Sequence, residues 1–214
     1  MSKSELNQIE EYFQWWLDEM IAYNFIKSYE REPQTFVVLP TVEYGRIKRF
    51  RKKEKIVEKF NLFSKIEYTY DYRIVWTAKA EYLFYEEHTD TWIFQFGKPL
   101  FIAHKENDDM ISYVDVKPTT SVMQKGGKVS TSITFPLKQR MLWEQYHLYI
   151  NKVVPIPMAG TGFNSALFCK SFTPDRYRLT DGGGMVRKVK FQQITMAEYT
   201  RTKALEIENL LKLK

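Results

Sequence analysis

Cysteine is almost missing from this chain: Cys169 stands alone among 214 residues, so neither a disulfide framework nor a thiolate zinc site can be built. Histidine is nearly as scarce. His88, His104 and His147 are separated in the chain, which argues against a histidine-built metal centre and leaves a hard cation held by oxygen as the metal to expect. No apolar run approaches the roughly 18 residues of a membrane span, and the opening "MSKSELNQIEEYF" lacks the apolar stretch of a leader. These absences predict an intracellular, soluble protein with no membrane partner.

What is present is a well-supplied core and a basic balance. Apolar residues make up 44% and aromatics 16%, which excludes wholesale disorder. Lys and Arg number 32 against 26 acids, giving +6 and a pI near 9.1. That leans toward a polyanionic partner. The length fits one generous domain with an insertion. We divide it into an α/β domain over 1–160 and a tail over 161–214 holding irregular chain and a closing helix.

Along the chain, "SELNQIEEYFQWWLDEMIAYNFI" predicts an amphipathic helix. Leu6, Ile9, Phe13, Trp16, Leu17, Met20 and Ile21 form its stripe, and Ser2 with Glu5 reads as a capping box. "EREPQTFVVL" turns at Pro33 into a strand. The basic run "RIKRFRKKEKIVEKF" over 46–60 reads as a helix. "KIEYTYDYRIVW" alternates, with Ile66, Tyr68, Tyr70, Tyr72, Ile74 and Trp76 on one face and Asp71 on the other. Residues 77–109 read as an inserted antiparallel section. "ISYVDVKP" is a strand ended by Pro118. A glycine-bearing loop follows, then a helix beginning near Thr134 with Pro136 in its first turn and Leu137, Met141, Leu142, Gln145 and Leu148 along one side. His147 reads as a packed histidine within it. "NKVVPIPM" then returns as a strand parallel to the "DVK" strand. "SFTPDRYRLTDGGGMVRKVKF" reads as irregular, and "MAEYTRTKALEIENLLKLK" as the closing helix. The fold class is therefore α/β, a mixed central sheet flanked by helices.

Chemistry gathers around "DVK". Residues two apart in a strand share a face, so Asp115 and Lys117 project together, and an adjacent strand would add Asp71. Two close carboxylates repel unless a divalent cation lies between them, and Mg²⁺ typically takes one or two carboxylates with several waters. A lysine beside such a cation can orient a water or offset charge on a phosphate.

An Asp on one strand followed by (D/E)-x-K on the next resembles the signature of the PD-(D/E)XK nuclease superfamily. Here the motifs are "YTYDYRIVW" and "SYVDVKP", and the order of elements is similar to phage-type junction-resolving endonucleases. The resemblance covers roughly residues 4–156. It implies a restriction-endonuclease-like fold and hydrolysis of DNA phosphodiesters with Mg²⁺ or Mn²⁺, with branched junctions among the substrates. Asp71 and Asp115 would hold the metal, the Val116 carbonyl would add a ligand, and Lys117 would position the water. The superfamily's helix acid maps to Glu10, which falls roughly 60° from the stripe centre, whereas Glu11 falls roughly 160° away, at about 100° per residue. Glu10 would bind a second metal or orient it. Lys138 matches the basic residue on the helix after the motif.

Blander readings compete. Asp115 with Lys117 could be an ordinary ion pair at a strand end, and Asp71, Glu10 and Lys138 ordinary surface charges. Lys48, Arg49, Arg51, Lys52 and Lys53 read either as a solvated face or as phosphate contacts. Tyr68, Tyr70 and Tyr72 read as packing residues before base-stacking ones. "TDGGGMVRK" lacks the strand and helix of a phosphate loop and reads as loop. The expected partner is DNA, with a homodimer suiting a symmetric junction, and the expected location is the host cytoplasm. The alternative is a catalytically silent nuclease fold serving as a virion or adaptor component among other phage subunits.

Overall fold

The computed structural model describes residues 8–50, 53–117, 131–156, 166–180 and 193–212, with side chains left out at 46–58, 131–134 and 180. The Ser2–Glu5 capping box, Leu6 and the "TDGGGMVRK" loop lie outside the described residues, as do most of the glycine-bearing loop and the tip of the basic run at Arg51 and Lys52.

Helix α1 (Gln8–Ala22) buries Tyr12, Phe13, Trp16, Leu17 and Met20 at three- and four-residue spacing. Ile21, expected in the stripe, is exposed instead, because Tyr12 and Phe13 rotate the buried face. The helix stops at Asn24, whose φ of 59° supplies the left-handed turn. The Phe25 N–H then reaches the Met20 carbonyl and the Asn24 N–H reaches that of Ile21, so the last carbonyls are satisfied.

The chain reverses into β1 (Ile26–Arg31) and passes through β2 (Thr35–Leu39), β3 (Val42–Phe50), β4 (Lys53–Phe63), β5 (Ile66–Thr69) and β6 (Tyr72–Trp76). After a 3₁₀ turn at Ala78–Ala80 come β7 (Tyr85–Glu87), β8 (Phe101–Glu106) and β9 (Asp109–Val116). Helix α2 (Thr131–Tyr146) leads to β10 (Ile150–Val153), followed by α3 (Leu167–Lys170), α4 (Asp175–Thr180) and α5 (Met196–Lys212). The class is mixed α/β. A central six-stranded sheet runs β1-β6-β9-β8-β7, with β10 parallel to β9, and two small antiparallel ladders pair β2 with β5 and β3 with β4.

One edge of β9 is shared. Its first half pairs with β8 at Asp109–Ile111, and its second half with β10 at Tyr113–Val116. Asn151 closes the fork: its Oδ1 accepts from the Ile102 N–H at 2.8 Å, while its Nδ2 donates to the carbonyls of Ile102 and Tyr113. No backbone partner is available at a split ladder, so a buried side-chain amide takes that place.

The sheet carries a core on each face. On one, α1 and the tail pack Trp16, Phe101, Phe168, Phe172, Tyr177 and Tyr199 against Tyr72, Ile74, Trp76, Val114 and Val116. On the other, α2 and the β2–β5 ladder bring Phe36, Val38, Tyr68, Tyr70, Phe135 and Leu142 against Val75, Ile111, Tyr113 and Ile150.

Several sequence expectations change. The basic run 46–60 is a β-hairpin, not a helix: Ile47 stands opposite Val57, Lys48 opposite Ile56 and Arg46 opposite Glu58, a cross-strand pattern that the β-branched residues favour. The tyrosine strand does not keep one phase. It breaks at Tyr70–Asp71 between β5 and β6, so Tyr68 and Tyr70 enter one core while Tyr72, Ile74 and Trp76 enter the other. Within 77–109, β7 is parallel to β8, and β8 extends the central sheet rather than forming a separate antiparallel section. Helix α2 begins at Thr131 with Pro136 inside it, and Leu137 is exposed while Phe135 and Leu142 are buried. His147 is not packed in the helix. It is exposed, with a φ of 53° that ends the helix. The "irregular" tail forms two short helices whose Phe168 and Tyr177 join the α1 core.

Candidate active site

Asp71 sits where the chain crosses from the β2–β5 ladder into the central sheet. Its N–H donates to the Val114 carbonyl at 2.9 Å, and its Oδ2 accepts from the Val116 N–H at 2.6 Å. The break in alternation makes this possible: a residue outside both strands can turn its carboxylate onto the edge of β9. Asp115 follows Val114 in β9 and is 1% exposed. The Lys117 ammonium lies 2.6 Å from Asp115 Oδ1, yet neither Asp115 oxygen receives an aligned hydrogen bond. The two describe one arrangement: an ion pair at contact distance whose direction is off the donor axis.

The two acids feel each other. Burial, and then the Asp115 carboxylate, push the Asp71 carboxyl up to about 7, against smaller lowering by Lys117 and by the Val116 N–H. Tyr68 completes the enclosure from β5. Burial, then the Asp115 charge and a side-chain hydrogen bond to Asp115, raise its phenol far above the ordinary range.

Two further cations face this cluster. The Lys138 ammonium lies 5.6 Å from the centre of the Tyr68 ring, so the lysine on α2 reaches the wall of the acid pair. Lys152 is in register with Asp115 across the parallel β9–β10 pair, which puts both side chains on the face that α2 covers. Its ammonium lies 5.8 Å from the Phe135 ring of α2. Lys152 was not singled out in the sequence, and Tyr68 only as a packing residue ahead of a stacking one. Lys152 could have been found, since the expected parallel strand aligned to "DVK" offers it as the neighbouring position.

Glu10 is placed at the edge of this arrangement. It pairs with Arg31 at 3.0 Å, and the Tyr72 hydroxyl donates to its carbonyl at 3.5 Å. Tyr72 is influenced by both Glu10 and Asp71, its phenol raised first by burial, so helix acid and strand acid flank one ring. Lys48, Arg49 and Lys53 belong to the β3–β4 hairpin by backbone, but their side chains, like all of Arg51 and Lys52, are outside the described residues. The tyrosines considered for stacking are buried: Tyr68, Tyr70 and Tyr72 are 7%, 1% and 0% exposed.

A divalent cation fits these donors in kind. The Asp71 and Asp115 carboxylates are hard, buried and close enough to repel, which is the condition a cation between them would relieve. Among the described residues no group of three or more His, Cys, Asp and Glu converges as a metal set, so such a cation would take two carboxylates and fill the rest from backbone oxygen or water.

No family model, curated protein or solved structure matches the chain. Among the described residues no helix is long and apolar enough to cross a membrane.

Proposed function

We propose that this protein is a metal-dependent endodeoxyribonuclease of the PD-(D/E)XK kind, in its phage-type form, with a restriction-endonuclease-like arrangement of the sheet. The observation that supports the reading is a buried pair of acids: Asp115, 1% exposed and 2.6 Å from the Lys117 ammonium, close enough to Asp71 to push its carboxyl up. Two carboxylates held side by side away from water are costly, and a cation between them would offset that cost.

Asp71 and Asp115 would hold Mg²⁺ or Mn²⁺, with the Val116 carbonyl as a further ligand. When bound, the cation supplies charge neutralisation at the phosphate and a water of lowered pKa. The remaining steps belong to the chain. The Val116 N–H donates to Asp71 Oδ2 and so holds this carboxylate against β9. Lys117 orients the attacking water and offsets charge on the phosphate oxygens as it develops. Lys138 and Lys152 hold neighbouring phosphates from the α2 side. Glu10 orients the site from α1 once Arg31 yields it.

A second reading has its own support. Leu205, Leu210 and Leu211 are 53%, 43% and 51% exposed around α5, apolar surface that a partner in an assembly would cover. A silent virion or adaptor component would present such a helix.

The deciding experiment incubates the protein and an Asp115→Asn variant with linear, nicked and four-way DNA, with Mg²⁺ or with chelator. We expect metal-dependent cutting that the variant lacks. Absence of cutting by the wild type on every substrate would leave the assembly reading.

A further inference from the structure

Beyond the acid pair, on the same face of the sheet, the far flank of α2 forms an aromatic cleft of about 310 Å³. Trp92, Trp143 and Tyr149 supply its rings, and Gln139, Arg140 and Glu144 its polar rim. The rings are in mutual contact, with Trp92 5.1 Å from Trp143 and 5.6 Å from Tyr149 between centroids. Behind them His88 packs 4.4 Å from Trp92 and 4.8 Å from Trp143, and stacks on His104 at 5.4 Å. His104 is in turn fixed by the Tyr149 N–H, which donates to its Nε2 at 3.0 Å. The platform is therefore buttressed from the sheet outward.

Three observations say what it would receive. Trp92 is held at a φ of 54°, a backbone conformation that a bulky residue adopts only against a cost, and its ring remains 40% exposed. An aromatic kept in this way at a cleft mouth is suited to a flat ligand. The rim matches a nucleotide: Arg140 is exposed and tied only to the equally exposed Glu144 at 3.2 Å among the contacts it makes here, so it can turn to a phosphate. Gln139 uses its Nε2 on the Ile150 carbonyl, leaving its amide oxygen as an acceptor for a base edge. The position matches too. Tyr149 lies three residues before Lys152, the partner of Asp115, which is about 10 Å along β10 at roughly 3.3 Å per residue. At roughly 3.4 Å or more per nucleotide, that span is no more than about three nucleotides.

We propose that this cleft takes one unstacked base of a single-stranded DNA segment, no more than about three nucleotides from the phosphate at the Asp71–Asp115 site. The inference rests on the nuclease reading for its substrate class, and it refines that class: a strand with unpaired bases beside the cut, not continuous duplex. In a duplex the base faces are already stacked, whereas an unpaired base can lie on an aromatic surface.

The test measures binding of a short fluorescent single-stranded oligodeoxynucleotide and of its blunt duplex to the full chain in chelator, so that cleavage plays no part. The single strand should bind more tightly than the duplex. Trp92→Ala and Arg140→Ala should each weaken it, the former by about 5- to 150-fold, the equivalent of one base stacked on an aromatic ring. Trp92→Phe should recover much of that loss. Quenching of wild-type tryptophan fluorescence by the same oligonucleotide gives a reading that needs no variant. No quenching, or equal affinity in Trp92→Ala, overturns the proposal, as does a dimer that Trp92→Ala dissolves, since a second copy would then own the cleft. Cleavage is scored separately: cutting that is indifferent to Trp92 removes this inference alone, and Trp92-dependent binding without cutting removes the nuclease reading alone.

Discussion

The acids and histidines pull the pH dependence of stability in opposite directions. Asp71, raised to about 7, binds its proton more tightly in the fold than in the unfolded chain, so its contribution is present below its ordinary value near 3.8 and is lost as pH rises toward 7. Glu19, also raised to about 7 by burial, adds to the same loss. His104 runs the other way. Burial, and then His88, lower it to about 4, against raising by the Tyr149 N–H and Glu106, so its contribution is full above 6.5 and falls as pH drops toward 4. We expect Asp115→Asn to raise the melting temperature of the metal-free protein at pH 8 by about 2–4 °C, the equivalent of about 1 kcal/mol in a chain of this size, while abolishing cutting. A lowered melting temperature would mean that the acid pair is structural. Mg²⁺ should stabilise the wild type at pH 8 and do little at pH 5, which scanning calorimetry would read directly. His104→Gln should flatten the acid limb alone. Asp71 and Asp115 were legible as acids on neighbouring strands, but the alternation expected to put them on one face breaks at Asp71, which reaches β9 from the join of β5 and β6. Tyr68 packs in the core as expected, and its hydroxyl also meets Asp115, which no local pattern shows.

At the scale of elements, the two ladders off the central sheet differ from it in kind. A two-stranded ribbon alone is marginal in water, and the β3–β4 hairpin lies off the central sheet, with Tyr44, Leu62 and Phe63 exposed beside it. Strand β9, by contrast, is paired on both edges. Hydrogen exchange should therefore release the amides of β3 and β4 well before those of Ile111–Val116, and comparable protection in the two would show that the hairpin is covered in solution. The sequence misled here for a definable reason. The run 46–60 is so rich in Lys and Arg that Ile47, Ile56 and Val57, its only β-branched residues, leave no period to read, and charge has none of its own. The closing helix was easy to read, because α5 keeps a helical pattern over 17 residues. The placement of the "tail" was not: Phe172 and Tyr177 pack on Trp16 and Tyr12 of α1, more than 150 residues away, and Phe168 packs on Tyr177.

Across the whole molecule the tail and α1 share one core. Calorimetry should accordingly give a single unfolding transition, and removal of residues 193–214 should lower its midpoint, because Met196 and Tyr199 leave that core and the Leu83 carbonyl loses the Tyr199 hydroxyl. Two separate transitions would divide the chain at the tail. The mixed sheet and its parallel last strand were legible from the order of apolar segments, while the fork in β9 was not, because nothing local in "DMISYVDV" says that its two halves have different neighbours. That fork has a consequence in time. The half of β9 that carries Asp115 finds its outer neighbour only when residues 150–153 arrive, and Asn151 seals the join. During synthesis the acids are thus brought to their final positions late, after most of the chain has left the ribosome, and a chain cut short before Ile150 would be born without a working centre.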